Sequence, residues 1–320
     1  MPEHPRRLRV LTWHVHGNYL YYLSQAPHDF VVVTREGVPG YAGLGGALPW
    51  GPNLRAVPHD ALADETFDCV LYQARDPYLE HQHQLLTPRQ RALPRIYVEH
   101  DPPQGHPTNT VHPFQEPDGL LVHVSHFNAL MWDSGVTPAM VIEHGVVVPP
   151  QARYTGEYAR GVTVVNHLAQ RGRRLGADVF AQIREQVAVD LVGMAAEESG
   201  GIGEIANPDL PAFMARYRYF FNPIRYTSMP LSVVEAMHVG LPIVALATTE
   251  LASVIVNERQ GYIDTRLDRL VDVMRTLAEN PALARTWGDA ARELAQSRFG
   301  IERFAADWDR ALRRAVGGAA

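Results

Sequence analysis

Short apolar blocks recur along the chain, separated by longer stretches in which apolar residues return every third or fourth position. The blocks fit buried strands and the longer stretches fit amphipathic helices. LRVLTWHV (8–15) reads as a first strand, Gly17 follows it, and NYLYYLSQ (18–25) reads as a short helix. DFVVVTR (29–35), FDCVLYQ (67–73), PRIYVEH (94–100) and DGLLVHV (118–124) continue the strand series. HFNALMWDSG (126–135) reads as a helix with Ser125 as N-cap. AMVIEHGVVVPP (139–150) reads as a strand running into a loop. The glycine- and proline-rich stretch 36–60 reads as one long loop, and 101–117 as another.

Residues 149–160, PPQARYTGEYAR, have no apolar period and read as a linker. A second series follows: strand GVTVVNHL (161–168), helix LGADVFAQIREQ (175–186), strand VAVDLVG (187–193), helix LPAFMARY (210–217), strand RYFFNP (218–223). Then come a helix within YTSMPLSVVEAMHVGLP (226–242), strand IVALAT (243–248), and helices to the end. Strands alternating with helices mean parallel sheets covered on both faces. Two such series predict an α/β protein of two doubly wound domains, residues 1–150 and 151–320. Ligands of such sheets bind outside the carboxyl ends of the strands. Residues at those ends therefore deserve the chemical reading.

Bulk composition narrows the classes. The chain has 320 residues, enough for two domains, with 46% hydrophobic and 20% charged residues. A net charge of −6 offers no broad basic field for nucleic acid. One cysteine, Cys69, fits a reducing compartment and reads as a small buried hydrophobe. No apolar run reaches the length of a membrane span, and MPEHPRRLRVLTW is not built as a signal peptide. A cytoplasmic protein is expected, with a peripheral membrane contact left open. The tight histidine pairs His14/His16 and His81/His83 lack a third ligand nearby in sequence, so no metal is expected. No G-x-G-x-x-G follows a predicted strand, which argues against a dinucleotide dehydrogenase.

The helix in 226–242 carries one acid, Glu235. Two readings of it stand side by side. With Ser232 it fits a capping box. Alternatively, a helix opening near Pro230 offers backbone N–H groups to phosphate. A carboxylate one turn further in can then accept from ribose hydroxyls. In the strand-to-helix loop NHLAQRGRRLG, Arg171, Arg173 and Arg174 present guanidinium forks that match phosphate oxygens.

The stretch Pro230-Leu231, Glu235-Ala236-Met237 and Gly240-Leu241-Pro242, running into an apolar strand, resembles the signature of the family 4 (group 1) glycosyltransferases. DGLLVHVSHFNALMWDSGVTPAMVIEHGV and SRFGIERFAADWDRAL are similar to the end of that family's first domain and to its closing helix. The resemblance covers most of residues 94–316. It implies the GT-B fold: two Rossmann-like domains facing each other across a cleft, the first on the acceptor side and the second binding donor. It also implies that helix 301–316 crosses back to the first domain. The implied activity is metal-independent, retaining, hexosyltransferase-type transfer from a nucleotide-diphosphate sugar to an acceptor hydroxyl. Bacterial polysaccharide or glycoconjugate synthesis would be the setting, and a glycan, a lipid-linked molecule or a small molecule the acceptor. No cofactor beyond the co-substrate is implied. By the same resemblance Glu235 binds ribose, Ser228, Met229, Pro230, Leu231 and Ser232 meet the diphosphate and sugar, and Arg171 with Arg174 hold the diphosphate. His100 faces the reacting centre and Gly17 admits substrate to the backbone.

The chain departs from the family pattern at several points. Thr227 occupies the first glutamate of Glu-x7-Glu, Ser228-Met229-Pro230 replaces Gly-Phe-Gly, and His167 stands near the family's arginine. Only one glycine, Gly17, follows the first strand. The loss of the first glutamate keeps a second function open, a non-catalytic protein of this fold that binds nucleotide sugar or glycan.

Overall fold

The computed structural model describes residues 6–38 and 41–317. The chain forms two compact units. One holds the residues up to Gly145 together with those from Ile301 onward; the other spans Val146–Gly300.

The first unit is built on seven parallel strands: β1 (Arg9–Thr12), β2 (Asp29–Thr34), β3 (Leu54–Pro58), β4 (Cys69–Tyr72), β5 (Arg95–Glu99), β6 (Leu120–His123) and β7 (Ala139–Val141). Their spatial order is β3-β2-β1-β4-β5-β6-β7. The order reverses direction between β1 and β4, which makes that gap the switch point. Helices α1 (Gly17–Leu23), α2 (Gln82–Leu85), α3 (Pro88–Arg91) and α4 (His126–Met131) lie in the connections. Ser125 caps α4 as the sequence predicts, its hydroxyl accepting from the Asn128 N–H at 3.1 Å. Leu11, Val31, Val70, Tyr97 and Leu121, one from each of five neighbouring strands, meet in a single buried cluster. Cys69 is fully buried, and burial pushes its thiol up, so it packs as an apolar residue.

Two strands differ from the sequence reading. Residues 36–60 are not one loop, because β3 occupies 54–58 and pairs with β2. Only Leu54 and Val57 of β3 face inward and Arg55 is exposed, so the segment carries the weak pattern of an edge strand. In the second unit a further edge strand, Gly261–Asp264, was masked by its own glycine. A β-carbon at Gly261 would lie 1.9 Å from the Ile243 carbonyl oxygen, so pairing there requires the glycine.

The second unit has five parallel strands: β8 (Tyr158–Val164), β9 (Val189–Val192), β10 (Tyr217–Asn222), β11 (Ile243–Leu246) and β12 (Gly261–Asp264). Their order, β12-β11-β10-β8-β9, puts the switch point between β8 and β10. The connections contain α5 (Leu168–Arg171), α6 (Ala177–Arg184), α7 (Leu210–Met214), α8 (Leu231–Val239), α9 (Leu251–Val254), α10 (Leu267–Glu279) and α11 (Pro281–Arg298). The predicted linker 149–160 is shorter than expected, since β8 begins at Tyr158. From Val233 to Val239 every residue of α8 is buried, which explains its nearly unbroken apolar sequence. The helix stops at Gly240, in the left-handed region at φ 101°. Its carbonyl oxygen approaches α11 where that helix has Gly288; a β-carbon there would lie 2.0 Å from it.

The last helix, α12 (Ile301–Gly317), belongs to the first unit. Trp308 is fully buried and its indole N–H donates to the Tyr19 hydroxyl at 3.2 Å. Arg303 donates to the carbonyls of Glu143 and His144 at 2.8 and 2.6 Å. Among the described residues, no helix is long and apolar enough to cross a membrane.

Candidate functional site

The second unit's switch point gathers the residues singled out on that half of the chain. Thr163, on β8, donates its hydroxyl to the Phe221 carbonyl at 2.9 Å, and Ser232 donates to the Val164 carbonyl at 3.3 Å. These bonds seat the start of α8 over the carboxyl ends of β8 and β10. The helix begins one residue later than expected: Pro230 is the N-cap, in extended conformation, and no side chain caps the end. The capping-box reading therefore does not describe this helix. Ser232 lies inside the first turn, and Glu235 is not the acid three residues past an N-cap. The amides of Leu231 and Ser232 have no acceptor within the helix, and the helix dipole makes this end attractive to an anion. Glu235 is only 2% exposed, and it is the one acid on a helix whose only other polar side chains are Ser232 and His238. Of the chain leading in, Ser228 and Met229 are buried, and Thr227 and Pro230 are half-buried.

The arginine loop abuts this chain. The Arg225 and Tyr226 amides donate to the Arg174 carbonyl at 3.1 and 3.3 Å. Gly176, at φ 81°, follows the loop, and a β-carbon there would lie 2.0 Å from the Pro223 carbonyl oxygen. Arg171 ends α5 and is exposed, while Arg174 is half-buried. Arg173 pairs with Asp178 and is thereby occupied. Among the described residues, Arg174 has no carboxylate partner. Of Arg173 and Arg174, it is the one available to a ligand.

His167 sits at the entrance to the same loop in the left-handed region, φ 53°, uncommon for a side chain of this size. Its N–H donates to the Met194 carbonyl at 2.8 Å, and its Nδ1 is buried with no hydrogen-bond partner. Opposite, Gly193 passes so near Val165 that a β-carbon would lie 2.6 Å from its carbonyl oxygen. Sequence reasoning missed Gly193, Asp178 and Arg225. Arg225 was findable, as a charge placed directly after a buried strand. Asp178 was not, since a first-turn acid on a helix is ordinary.

The first unit places His100 and Gly17 at its own carboxyl edge. His100 follows β5, and its ring lies 4.2 Å from that of His16 and 4.5 Å from that of Tyr19. Tyr19 also meets His144, ring to ring, at 5.7 Å. The His100 Nε2 is buried without a partner. Burial, reinforced by His16 and His144, drives its pKa well below the ordinary imidazole value and keeps it neutral. Gly17 opens α1, and its missing side chain makes room for His14, whose Nε2 would lie 3.0 Å from a β-carbon. The close approach at Gly17 is thus to an imidazole of the same unit. A cavity of about 620 Å³, lined by Thr34–Val38, Tyr41–Gly43 and Ala56, lies beyond the end of β2. Among the described residues, no group of three His, Cys, Asp or Glu could hold a metal ion.

Residues 162–280 match the family described as glycosyl transferases group 1. No curated protein matches the chain in sequence. Among solved structures, the chain is similar to sucrose-phosphate synthase from Thermosynechococcus elongatus, with a TM-score of 0.71 at 16% identity over 98% of this chain and 100% of that one. A glycosyltransferase from Rickettsia africae gives 0.66 at 10% identity over 98% and 100%. Anabaena HepE in complex with UDP-glucose gives 0.65 at 15% identity over 96% and 99%. These likenesses show the architecture. The chain has the GT-B fold, and within its second unit residues 162–280 are similar to the group 1 glycosyl transferases.

Proposed function

We propose that the protein is a retaining glycosyltransferase that moves a hexosyl group from a nucleotide-diphosphate sugar to an acceptor hydroxyl. The observation that carries this is the convergence at one switch point of an uncapped helix end, an unpaired guanidinium and a buried carboxylate. The N-terminus of α8 and Arg174, with Arg171 beside it, suit the diphosphate. Glu235 suits the ribose hydroxyls. Transfer breaks the bond from the anomeric carbon to the diphosphate oxygen, which keeps the electron pair. The acceptor oxygen forms the new bond on the same face and gives its proton to the departing diphosphate oxygen. The charge that develops on the leaving group falls to the helix dipole and the guanidiniums. No metal is assigned to that task, so a chelator is expected to leave turnover unchanged. His100, held neutral, can accept a hydrogen bond from a reacting hydroxyl. Thr227 offers a hydroxyl near the sugar in place of a carboxylate. HepE, crystallised with UDP and with UDP-glucose, supports a nucleotide sugar as donor. The acceptor side falls to the first unit, and synthesis of a bacterial polysaccharide or glycoconjugate is the setting this reading favours.

The test is calorimetric titration with UDP, GDP and ADP, repeated on Glu235→Ala. One diphosphate is expected to bind, and the substitution to cost at least a factor of ten, about 1.4 kcal/mol. Failure of all three to bind folded protein would remove the donor reading. Thr227 favours a second reading, a binding protein of the same fold without turnover. A bound nucleotide sugar that is never consumed, in the presence of a broad acceptor panel, selects it.

A further inference from the structure

The donor reading uses the helix end, Glu235 and Arg174, and leaves one acid without a part. Asp178 lies in the first turn of α6. Arg225 grips it with both arms of its guanidinium: Nη1 donates to Oδ1 at 2.5 Å and Nη2 to Oδ2 at 2.9 Å. Arg173 donates to the same Oδ2. Arg225 Nη1 donates in addition to the Arg173 carbonyl at 2.8 Å. Together with the Arg225 and Tyr226 amides on the Arg174 carbonyl, these bonds lock the arginine loop to the chain that leads through Thr227 into α8. The Arg225 guanidinium holds the Asp178 carboxyl below its usual range, so the acid stays charged.

The pairing divides the arginines. Arg173 and Arg225 are committed to Asp178, and Arg174 is left over, in the segment whose backbone the lock fixes. The Asp178 side chain is 38% exposed, and ion pairs at that exposure add little to global stability. Its consequence is local. We propose that Asp178 is a positioning residue for the diphosphate: it withdraws Arg173 and Arg225 from the anion site and fixes the backbone that presents Arg174 and the start of α8. This inference rests on the donor reading for its ligand.

The sign of the effect separates positioning from simple charge. Neutralising an acid beside an anion site strengthens anion binding if only Coulomb attraction matters. Positioning predicts the reverse. The experiment titrates inorganic pyrophosphate, UDP, GDP and ADP into the full chain and into Asp178→Asn and Arg225→Lys, with melting followed alongside. Arg225→Lys keeps the charge and loses the two-armed grip. Both variants are expected to bind pyrophosphate roughly tenfold more weakly at a nearly unchanged melting temperature, as displaced binding groups do. Should Asp178→Asn fail to fold, Arg225→Lys decides alone. Pyrophosphate binding as tight as wild type, or tighter, in a folded variant overturns the proposal. Wild type that binds pyrophosphate but no nucleoside diphosphate overturns the donor reading, and the variants still decide Asp178. Wild type that binds neither overturns both.

Discussion

The two units repeat one architecture and load it with opposite chemistry. Each has a parallel sheet with a single switch point, between β1 and β4 in one and between β8 and β10 in the other. At the first unit's edge stand His14, His16, Tyr19, His100 and His144, rings that burial and mutual repulsion hold neutral where a shift is resolved. At the second unit's edge stand Arg171, Arg173, Arg174 and Arg225 with one acid between them. A neutral, ring-lined edge suits hydroxyls and sugar or apolar rings; a guanidinium-lined edge suits phosphate. The fold fixes where a ligand sits, and the side chains after each strand decide which ligand it is.

The largest effect should come from breaking the second unit alone. Gly288→Val drives a side chain into the Gly240 carbonyl, and overpacking of this kind costs about 2–3 kcal/mol. For a unit of this size that is a fall of roughly 5–10 °C in melting temperature. Calorimetry that shows both units' transitions moving together would break the picture of separate cores. Next comes a paired test of the two edges. Arg174→Ala is expected to weaken nucleoside diphosphate binding about tenfold. His16→Ala is expected to leave that affinity alone and to raise the KM for the acceptor. The contrast fails if His16→Ala costs nucleotide affinity.

Acid should separate the units more gently. Buried His123 of the first unit and His238 of the second are each lowered to about 4, and His100 is also lowered. These groups are neutral when folded and take up a proton below about 6.5 when unfolded, so stability is full above that pH. It declines as the pH falls toward 4, by at most about 1.4 kcal/mol per pH unit for each group. With His100 and His123 both in it, the first unit should lose stability more steeply. Melting curves at about pH 7 and about pH 5 measure this, and equal slopes would contradict the assignment. The smallest effect is expected from Thr227→Glu. On the transferase reading it changes kcat while nucleotide affinity stays within about threefold, because Thr227 faces the sugar rather than the diphosphate. Altered affinity with unaltered kcat would move Thr227 out of the reacting centre.

Much of this was legible in the sequence. Fully buried strands such as β4, β6 and β11 announce themselves as unbroken apolar runs. The start of α8, the arginine loop and the end of β5 could be placed because ligands sit where parallel strands end. The edge strands β3 and β12 were hidden, since an edge needs few apolar residues and tolerates proline or glycine. The role of Ser232 was also hidden. Its hydroxyl bonds the Val164 carbonyl, a partner 68 residues away, where local pattern suggested a helix cap. The division of the arginines was beyond reach for the same reason. Arg225 and Asp178 are 47 residues apart, and nothing local reveals that they meet.

Helix α12 gives the chain an order of assembly. The second unit is one unbroken segment, complete once residue 300 has been made, whereas the first waits for the residues beyond it. Until then Tyr19 lacks its indole partner and the Glu143 and His144 carbonyls lack Arg303. During synthesis the half of the protein made first is therefore the half finished last. Its histidine edge takes final form only as helix α12 arrives, when the arginine edge is already built.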